Sequence, residues 1–123
     1  MDHLRSEYVD LVGRWNQLTT QRDQLLDQLQ IFEETRGELP PSIGEIAIRQ
    51  HLAEILDESL GVAYRGSQLA EIRHLFRKVG GRRIMLRNQQ HWFHNIKELR
   101  TRRMSLQVDT NVVLPDPADP ALD

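Results

Sequence analysis

The fold is decided by residues 8–32, which read YVDLVGRWNQLTTQRDQLLDQLQIF. Large apolar side chains recur there at gaps that alternate between three and four residues, and Arg22 fills the one vacant step. This spacing is a heptad repeat, which predicts a long amphipathic helix over residues 2–36. Its eight a and d residues, called the heptad stripe below, are Tyr8, Leu11, Trp15, Leu18, Arg22, Leu25, Leu29 and Phe32.

A helix of this length needs a partner for its stripe. At about 1.5 Å per residue it spans roughly 50 Å, which is about the width of a small domain. Either a second helix of the chain or a second copy can cover the stripe, and the sequence leaves both arrangements open. Arg22 favours a defined oligomer, because a polar a residue costs stability but fixes register. It could instead pair with an acidic residue of the next helix or extend towards solvent. The heptad stripe is therefore the predicted self-association surface.

Turn residues divide the rest of the chain into shorter helices. Pro40 begins a Pro-Pro pair that stops the first helix, since proline lacks a donor and restricts the residue before it. Ser42 and Glu45 have the spacing of a capping box, and Gly61 fits the end of the helix that follows. A glycine pair at Gly80 ends a third helix. The predicted helices after the first cover residues 43–60, 67–79 and 89–103.

The period of the apolar residues changes to two after the last predicted helix. From Met104 to Leu114, apolar and polar residues alternate, which predicts an extended β arm over residues 104–114. Residues 82–87 are ambiguous between strand and helix, and they or a sheet edge on another protein are candidate partners for the arm. Residues 115–123 predict an acidic disordered tail.

The fold class that follows is mostly α. A long antiparallel helical hairpin or coiled coil carries two shorter helices and a C-terminal extended β arm. Residues 1–103 form the single helical domain.

Charge is strongly segregated along the chain, although the net charge is only −2. Residues 1–72 carry 6 basic and 13 acidic side chains, whereas residues 73–103 carry 10 basic and 1 acidic. Such segregation predicts an anionic partner for the second region. The predicted binding residues are Arg73, Arg77, Lys78, Arg82, Arg83, Arg87, Lys97, Arg100, Arg102 and Arg103.

Two kinds of anionic partner fit the basic residues. Interleaved aromatic residues such as Phe76 and Phe93 suit phosphate neutralisation with base stacking. The helices predicted at 43–60 and 67–79 also resemble a helix-turn-helix in their order, although their connector is longer than the usual turn. Alternatively, the basic residues dock on an acidic protein surface, including the acidic half of this chain, or form a solvated face that binds no partner.

Evidence for enzyme chemistry is weak. The chain has no cysteine, which excludes thiol catalysis and zinc thiolates. His91, His94 and Glu98 share one helix face and are a weak metal candidate, but no fourth protein ligand is evident. Adjacent carboxylates such as Glu33 and Glu34 do not face each other on a helix, so no general acid–base pair is indicated. We expect no enzyme activity, no cofactor and no small-molecule substrate.

Apolar runs in the chain are too short for a membrane span, and no signal segment follows Met1. The sequence therefore predicts a cytoplasmic, non-enzymatic assembly subunit or adaptor, which forms a homo-oligomer or binds a helical protein. In this hypothesis the heptad stripe pairs helices and the basic residues dock an anionic partner. The alternative is a dimeric DNA- or RNA-binding protein that uses the same basic segment.

Overall fold

A computed structural model describes residues 2–75 and 79–106, with side-chain surroundings for residues 3–72 and 87–106. The described residues form three α-helices, with no strand among them. The mostly α class and the long first helix are confirmed. In chain order the helices are α1 (Asp2–Arg36), α2 (Ile43–Leu75) and α3 (Val79–Ser105).

The turn between α1 and α2 forms as the sequence predicts. Gly37 ends α1 in the left-handed conformation, with a φ of +56°, and its N–H donates to the carbonyl of Glu33 at 3.2 Å. Ser42 caps α2, because its Oγ accepts the N–H of Glu45 at 3.1 Å. The chain reverses between these caps, so α1 and α2 pack antiparallel.

The prediction of separate helices at 43–60 and 67–79 is wrong, because α2 is continuous through this region. Gly61 is exposed and costs about 1 kcal/mol relative to alanine in a helix. Burial offsets that cost on the other side of the helix, where Leu60 and Ala63 are almost inaccessible. The helix-turn-helix resemblance fails for the same reason, since no turn separates the two segments.

The predicted start of the last helix at residue 89 is also wrong, because α3 begins ten residues earlier, at Val79. Gly80 and Gly81 lie in its first turn, and the ambiguous 82–87 stretch is helical. Residues 76–78, at the end of the helix predicted over 67–79, lie outside the described residues.

The β arm predicted from residue 104 is not shown. Met104 and Ser105 complete α3, and Leu106 follows in a turn with its side chain buried. The carbonyl of Leu106 accepts a hydrogen bond from Arg49 Nη1 at 2.9 Å, which satisfies the end of α3 without a strand partner. The remainder of the predicted arm, 107–114, and the predicted tail, 115–123, lie outside the described residues.

The buried core is centred on α2. The backbones of α1 and α3 each pack against α2 and not against each other. Within the described residues, no Cα atom of α1 comes within 8 Å of a Cα atom of α3. The two outer helices meet through aromatic side chains. The Trp92 ring packs edge-to-face against Tyr8 and Trp15, with centroid distances of 6.4 and 5.4 Å. Pockets lined by residues of both outer helices lie farther along the α1–α3 boundary and are called the seam below.

Candidate functional site

The heptad stripe packs inside the chain. Leu18, Leu25 and Leu29 are buried in the core with residues of α2 and α3. Tyr8 and Trp15 are partly buried against the same core. This packing is the helical-hairpin arrangement that the sequence left open. Self-association through the stripe stays a prediction, but the leucines buried here are not accessible to a second copy of this folded chain.

Arg22 lies at the edge of the core, and its side chain is only 15 % exposed. Its guanidinium pairs with Asp23 of the same helix at 3.2 Å, rather than with an acidic residue of α2. It also lines the seam between α1 and α3. A charged residue in the stripe is therefore accommodated at a pocket, and no oligomer register is needed to explain it.

Cross-helix ion pairs match many of the cations along the bundle. Arg14 of α1 pairs with Glu58 of α2. Arg65 donates two hydrogen bonds to Glu7, at 2.6 and 3.0 Å. The pKa of Glu7 is held below its usual range, chiefly by hydrogen bonding to Arg65. These pairs lie between α1 and α2, inside the acidic part of the sequence.

Arg103 is the clearest departure from the predicted binding surface. Its side chain is only 5 % exposed and its Nε donates to Asp57 Oδ1 at 3.1 Å. A buried, paired arginine of this kind joins α3 to α2 and cannot reach an external anion. It fits the alternative in which basic residues dock on the acidic half of the same chain.

A buried carboxylate organises the end of the bundle at the α1–α2 turn. Glu45 has no exposed surface, and it accepts hydrogen bonds from Arg36 Nε at 2.5 Å and Arg49 Nε at 3.1 Å. Arg49 also donates to Glu33 Oε1 at 2.7 Å and to the carbonyl of Leu106. One guanidinium thus connects all three helices. This group of four charged residues is called the hairpin-end cluster below.

The hairpin-end cluster holds Glu45 ionised. Burial alone would raise the pKa of this carboxyl, because a charge loses hydration inside a protein. Hydrogen bonds from Arg36 and Arg49 favour the charged form, and the pKa of Glu45 is lowered as a result. The sequence analysis assigned Glu45 to a capping box. The i,i+4 spacing of Glu45 and Arg49 could have indicated that ion pair, whereas Arg36 lies on another helix and had no such signal.

The other predicted basic residues divide into three groups. Arg102 pairs with Glu98 one turn away at 3.1 Å, and Arg100 is half-buried. Arg87 and Lys97 are exposed. The structure gives only the helical backbone for Arg73, Arg82 and Arg83, and Arg77 and Lys78 lie outside the described residues.

The excess of cations in the sequence falls around the end of α2 and the start of α3, where the structure describes the backbone of residues 73–75 and 79–87. Residues 73–87, called the basic tip below, contain Arg73, Arg77, Lys78, Arg82, Arg83 and Arg87 and no carboxylate.

The basic tip extends past α1. The Glu7–Arg65 pair sets the register of α1 against α2, so Asp2 lies about level with Ala70, five residues farther along. Helix α2 continues five residues beyond that level to Leu75, or roughly 8 Å. The first turns of α3 return at the same end, because Gly66 contacts Trp92 on the way back. The described part of α1 therefore does not flank these turns.

The turn end of the bundle exposes apolar side chains. Ile43 is 88 % exposed and Leu39 is 68 % exposed, and Ile46 lies one helical turn after Ile43. Met104, at the end of α3, is 76 % exposed. Clusters of exposed apolar residues are typical of protein contact surfaces.

The seam consists of pockets between α1 and α3. One is lined by Trp15, Thr19 and Arg22 of α1 and by Leu99 of α3. A second lies beside Leu52 and Leu56 of α2, which are almost completely buried, and a pocket of about 410 Å³ lies at Leu106. Sequence analysis missed these pockets, because the distance between α1 and α3 has no signature in the residue pattern.

The weak metal candidate gains no support from the described residues. His91 is exposed, and His94 Nε2 lies 3.4 Å from Glu98 Oε2 on the outer face of α3. Within residues 3–72 and 87–106 no group of three or more His, Asp or Glu side chains is arranged to hold a metal ion. Nor is any described helix sufficiently long and apolar to cross a bilayer.

Comparisons with known protein families, with characterised proteins and with solved structures give no match to this chain. Its function must therefore be argued from its own residues.

Proposed function

We propose that the protein is a non-enzymatic helical adaptor or assembly subunit that docks an acidic protein partner at its basic tip. This hypothesis keeps the function predicted from the sequence but assigns binding to fewer of the basic residues. Arg103 and Arg102 leave the binding set, because Asp57 and Glu98 pair with them. The remaining set is centred on residues 73–87, with Lys97 exposed farther along α3.

A single contrast in charge pairing carries this proposal. Along the bundle, arginines of all three helices find carboxylates on a neighbouring helix, as in the pairs of Arg14, Arg65 and Arg103. The basic tip has six cations and no carboxylate in its own sequence, and it extends past the described start of α1. A partner that supplies carboxylates would complete at the basic tip the pairing found elsewhere in the bundle.

The exposed apolar residues at the opposite end support an adaptor with two contact surfaces. Leu39 and Ile43 are among the most exposed large apolar side chains of the described residues. Apolar contact is a property of protein interfaces rather than of phosphate binding. We therefore place a protein partner ahead of a nucleic acid.

Nucleic-acid binding remains the second candidate because of one observation on α3. Phe93 is 52 % exposed, and Lys97 lies one turn farther along on the same side of the helix. An exposed aromatic ring beside a cation is the arrangement that stacks on a base while neutralising a phosphate.

Fluorescence anisotropy of the full chain with three labelled anions tests the proposal. The probes are a polyglutamate peptide, a random-sequence DNA duplex and a single-stranded RNA, each at low and high salt. We expect the peptide to bind and the double variant Arg82→Gln/Arg83→Gln to lose about tenfold in affinity, or about 1.4 kcal/mol. The matched control, Arg14→Gln/Arg102→Gln, removes the same charge from the body of the bundle and should bind like the parent chain.

Each outcome distinguishes the candidates. Equal losses in the two double variants would show that net charge, rather than the basic tip, governs binding, and would overturn the proposal. Tight DNA or RNA binding that falls by orders of magnitude with salt would establish the second candidate instead. Circular dichroism of each variant checks that the helices are intact.

A further inference from the structure

Helix α3 carries two neighbouring stripes of residues with the spacing that lets helices pair. The buried stripe runs from Trp92 to Arg103 in steps of four, three and four residues, through Ile96 and Leu99. The same steps, started one residue later, give a second stripe, called the outer stripe below. Its members are Phe93, Lys97, Arg100 and Met104. Steps of this kind keep side chains on one face of a helix, where a second helix can lie along them.

The two ends of the outer stripe are apolar and exposed. Phe93 is 52 % exposed and Met104 is 76 % exposed. Eleven residues separate them, which is three helical turns or roughly 16 Å. Methionine is flexible and apolar, and it is common on protein surfaces that receive helices. Two exposed apolar side chains at this separation match the apolar face of a partner helix that lies along α3 for about three turns.

The middle of the outer stripe carries positive charge. Lys97 is exposed, whereas Arg100 is half-buried and makes contacts of its own, so Lys97 is the cation that a partner reaches. Glu98 is the single acidic residue of residues 73–103, and it already pairs with Arg102 at 3.1 Å. Charge complementarity therefore favours a partner that supplies a carboxylate opposite Lys97.

We propose that the outer stripe binds an acidic amphipathic helix of a partner protein. Apolar residues of that helix pack on Phe93 and Met104, and a carboxylate lies near Lys97. A nucleic acid would supply phosphates but would leave Met104 in water. The inference rests on the proposed function, because it identifies the element with which the acidic partner docks. Arg87, at the edge of the basic tip, lies on the same helix, so the two surfaces adjoin.

Fluorescence anisotropy of the full chain with two designed peptides tests the proposal. The first labelled peptide has three heptads, with leucine at the a and d positions and glutamate or glutamine elsewhere. The second has the same composition in an order that spreads the leucines around the helix. We expect the first to bind about tenfold more tightly, because only that peptide presents an apolar face. This comparison uses the parent chain and depends on no variant.

Matched double variants locate the bound peptide on the chain. Phe93→Gln/Met104→Gln should lower the affinity for the amphipathic peptide about tenfold, since both apolar contacts are lost. Val9→Gln/Ile31→Gln is the control, because it removes two apolar side chains of α1 that are 63 % and 64 % exposed. The control should bind like the parent chain. All four residues are exposed, and circular dichroism checks that the helices remain.

Three results would overturn the proposal. The first is equal affinity for the two peptides, and the second is an equal loss in the two double variants. The third is a DNA duplex that loses affinity in Phe93→Gln/Met104→Gln while the amphipathic peptide does not, which would assign the outer stripe to nucleic acid.

Polyglutamate separates this inference from the proposed function. Its binding should be unchanged in Phe93→Gln/Met104→Gln and reduced in Arg82→Gln/Arg83→Gln. If polyglutamate responds in this way but the two designed peptides bind alike, the outer stripe is refuted and the basic tip stands. If polyglutamate ignores Arg82→Gln/Arg83→Gln, the proposed function is refuted.

Discussion

At the end where α1 turns into α2, acidic and basic side chains face one another, and Glu45 is buried between two guanidinium groups. At the other end, residues 73–87 hold six cations and no carboxylate. At the first end, the charged side chains form the hydrogen bonds that join the three helices. The second has a cation excess in its sequence. In the described part of the bundle, paired charges join helices, whereas binding by the cations of residues 73–87 stays a proposal.

Removal of the buried Glu45 carboxylate is the strongest test of the contrast between the two ends. Glu45→Gln should lower Tm by roughly 10 °C, because Arg36 and Arg49 would lose a charged acceptor that is shielded from water. Thermal unfolding followed by circular dichroism measures the effect. Glu38→Gln is the matched control, since Glu38 is exposed in the same turn. Similar Tm values for the two variants would mean that the hairpin-end cluster is not structural.

A second substitution tests how the basic tip is held on the bundle. A Cβ at Gly66 would lie 2.5 Å from Trp92 Cε2, so Gly66→Ala should cost about 1–3 kcal/mol by overpacking. Gly61→Ala in the same helix meets nothing within 4 Å and should stabilise by about 0.5–1 kcal/mol. Urea unfolding gives both values. We expect Gly66→Ala to lower the free energy of unfolding and Gly61→Ala to raise it. A change in the same direction for both variants would contradict the close Gly66–Trp92 contact.

The pH dependence of stability should include a contribution from Glu45 in the hairpin-end cluster. The pKa of Glu45 is lowered in the folded chain from its ordinary value of 4.5. Its stabilisation is therefore complete above that value and is lost as the pH falls through the lower, folded pKa. Glu7, paired with Arg65, contributes in the same direction. Tm measured from about pH 6 downwards should fall less steeply in Glu45→Gln than in the parent chain. Identical slopes would show that Glu45 does not titrate with folding.

The smallest expected effect concerns the pairs along the body. Arg14 and Glu58 are both partly exposed, with 42 % and 46 % of their side-chain surface accessible. Exposed pairs contribute about 0.2–1 kcal/mol, so Arg14→Gln should change the free energy of unfolding within that range. A larger loss, measured by urea unfolding, would mean that matched charge is a main source of stability everywhere and not only at the hairpin-end cluster.

The local features of the fold were predictable from the sequence. The heptad stripe gave α1, and the Pro40–Pro41 turn with Ser42 gave the start of α2. The helix ends predicted at the glycines of residues 61–66 and 80–81 were wrong, because these glycines lie within helices. Backbone freedom is only a modest cost, and burial of neighbours such as Leu60 and Leu69 exceeds it. Gly66 interrupts no helix; it makes room for Trp92.

The candidate site was predictable only as a list of residue types. The sequence located the cations of residues 73–103, and the i,i+4 spacing of Glu98 and Arg102 suits their ion pair, but it could not show that Arg103 turns inward to Asp57. Asp57 lies on another helix, so this contact depends on how α3 packs against α2. The predicted function and partners stay predictions, which the binding experiments test, and the cytoplasmic location stays a prediction as well.

The helical class, the long first helix, its turn and the segregation of charge follow from the sequence, because each depends on residues close together in the chain. The internal packing of the stripe, the pairing of Glu45 with Arg36 and the pockets between α1 and α3 appear only in the folded chain. These features depend on the register and spacing of helices, which are fixed by packing between residues far apart in the chain.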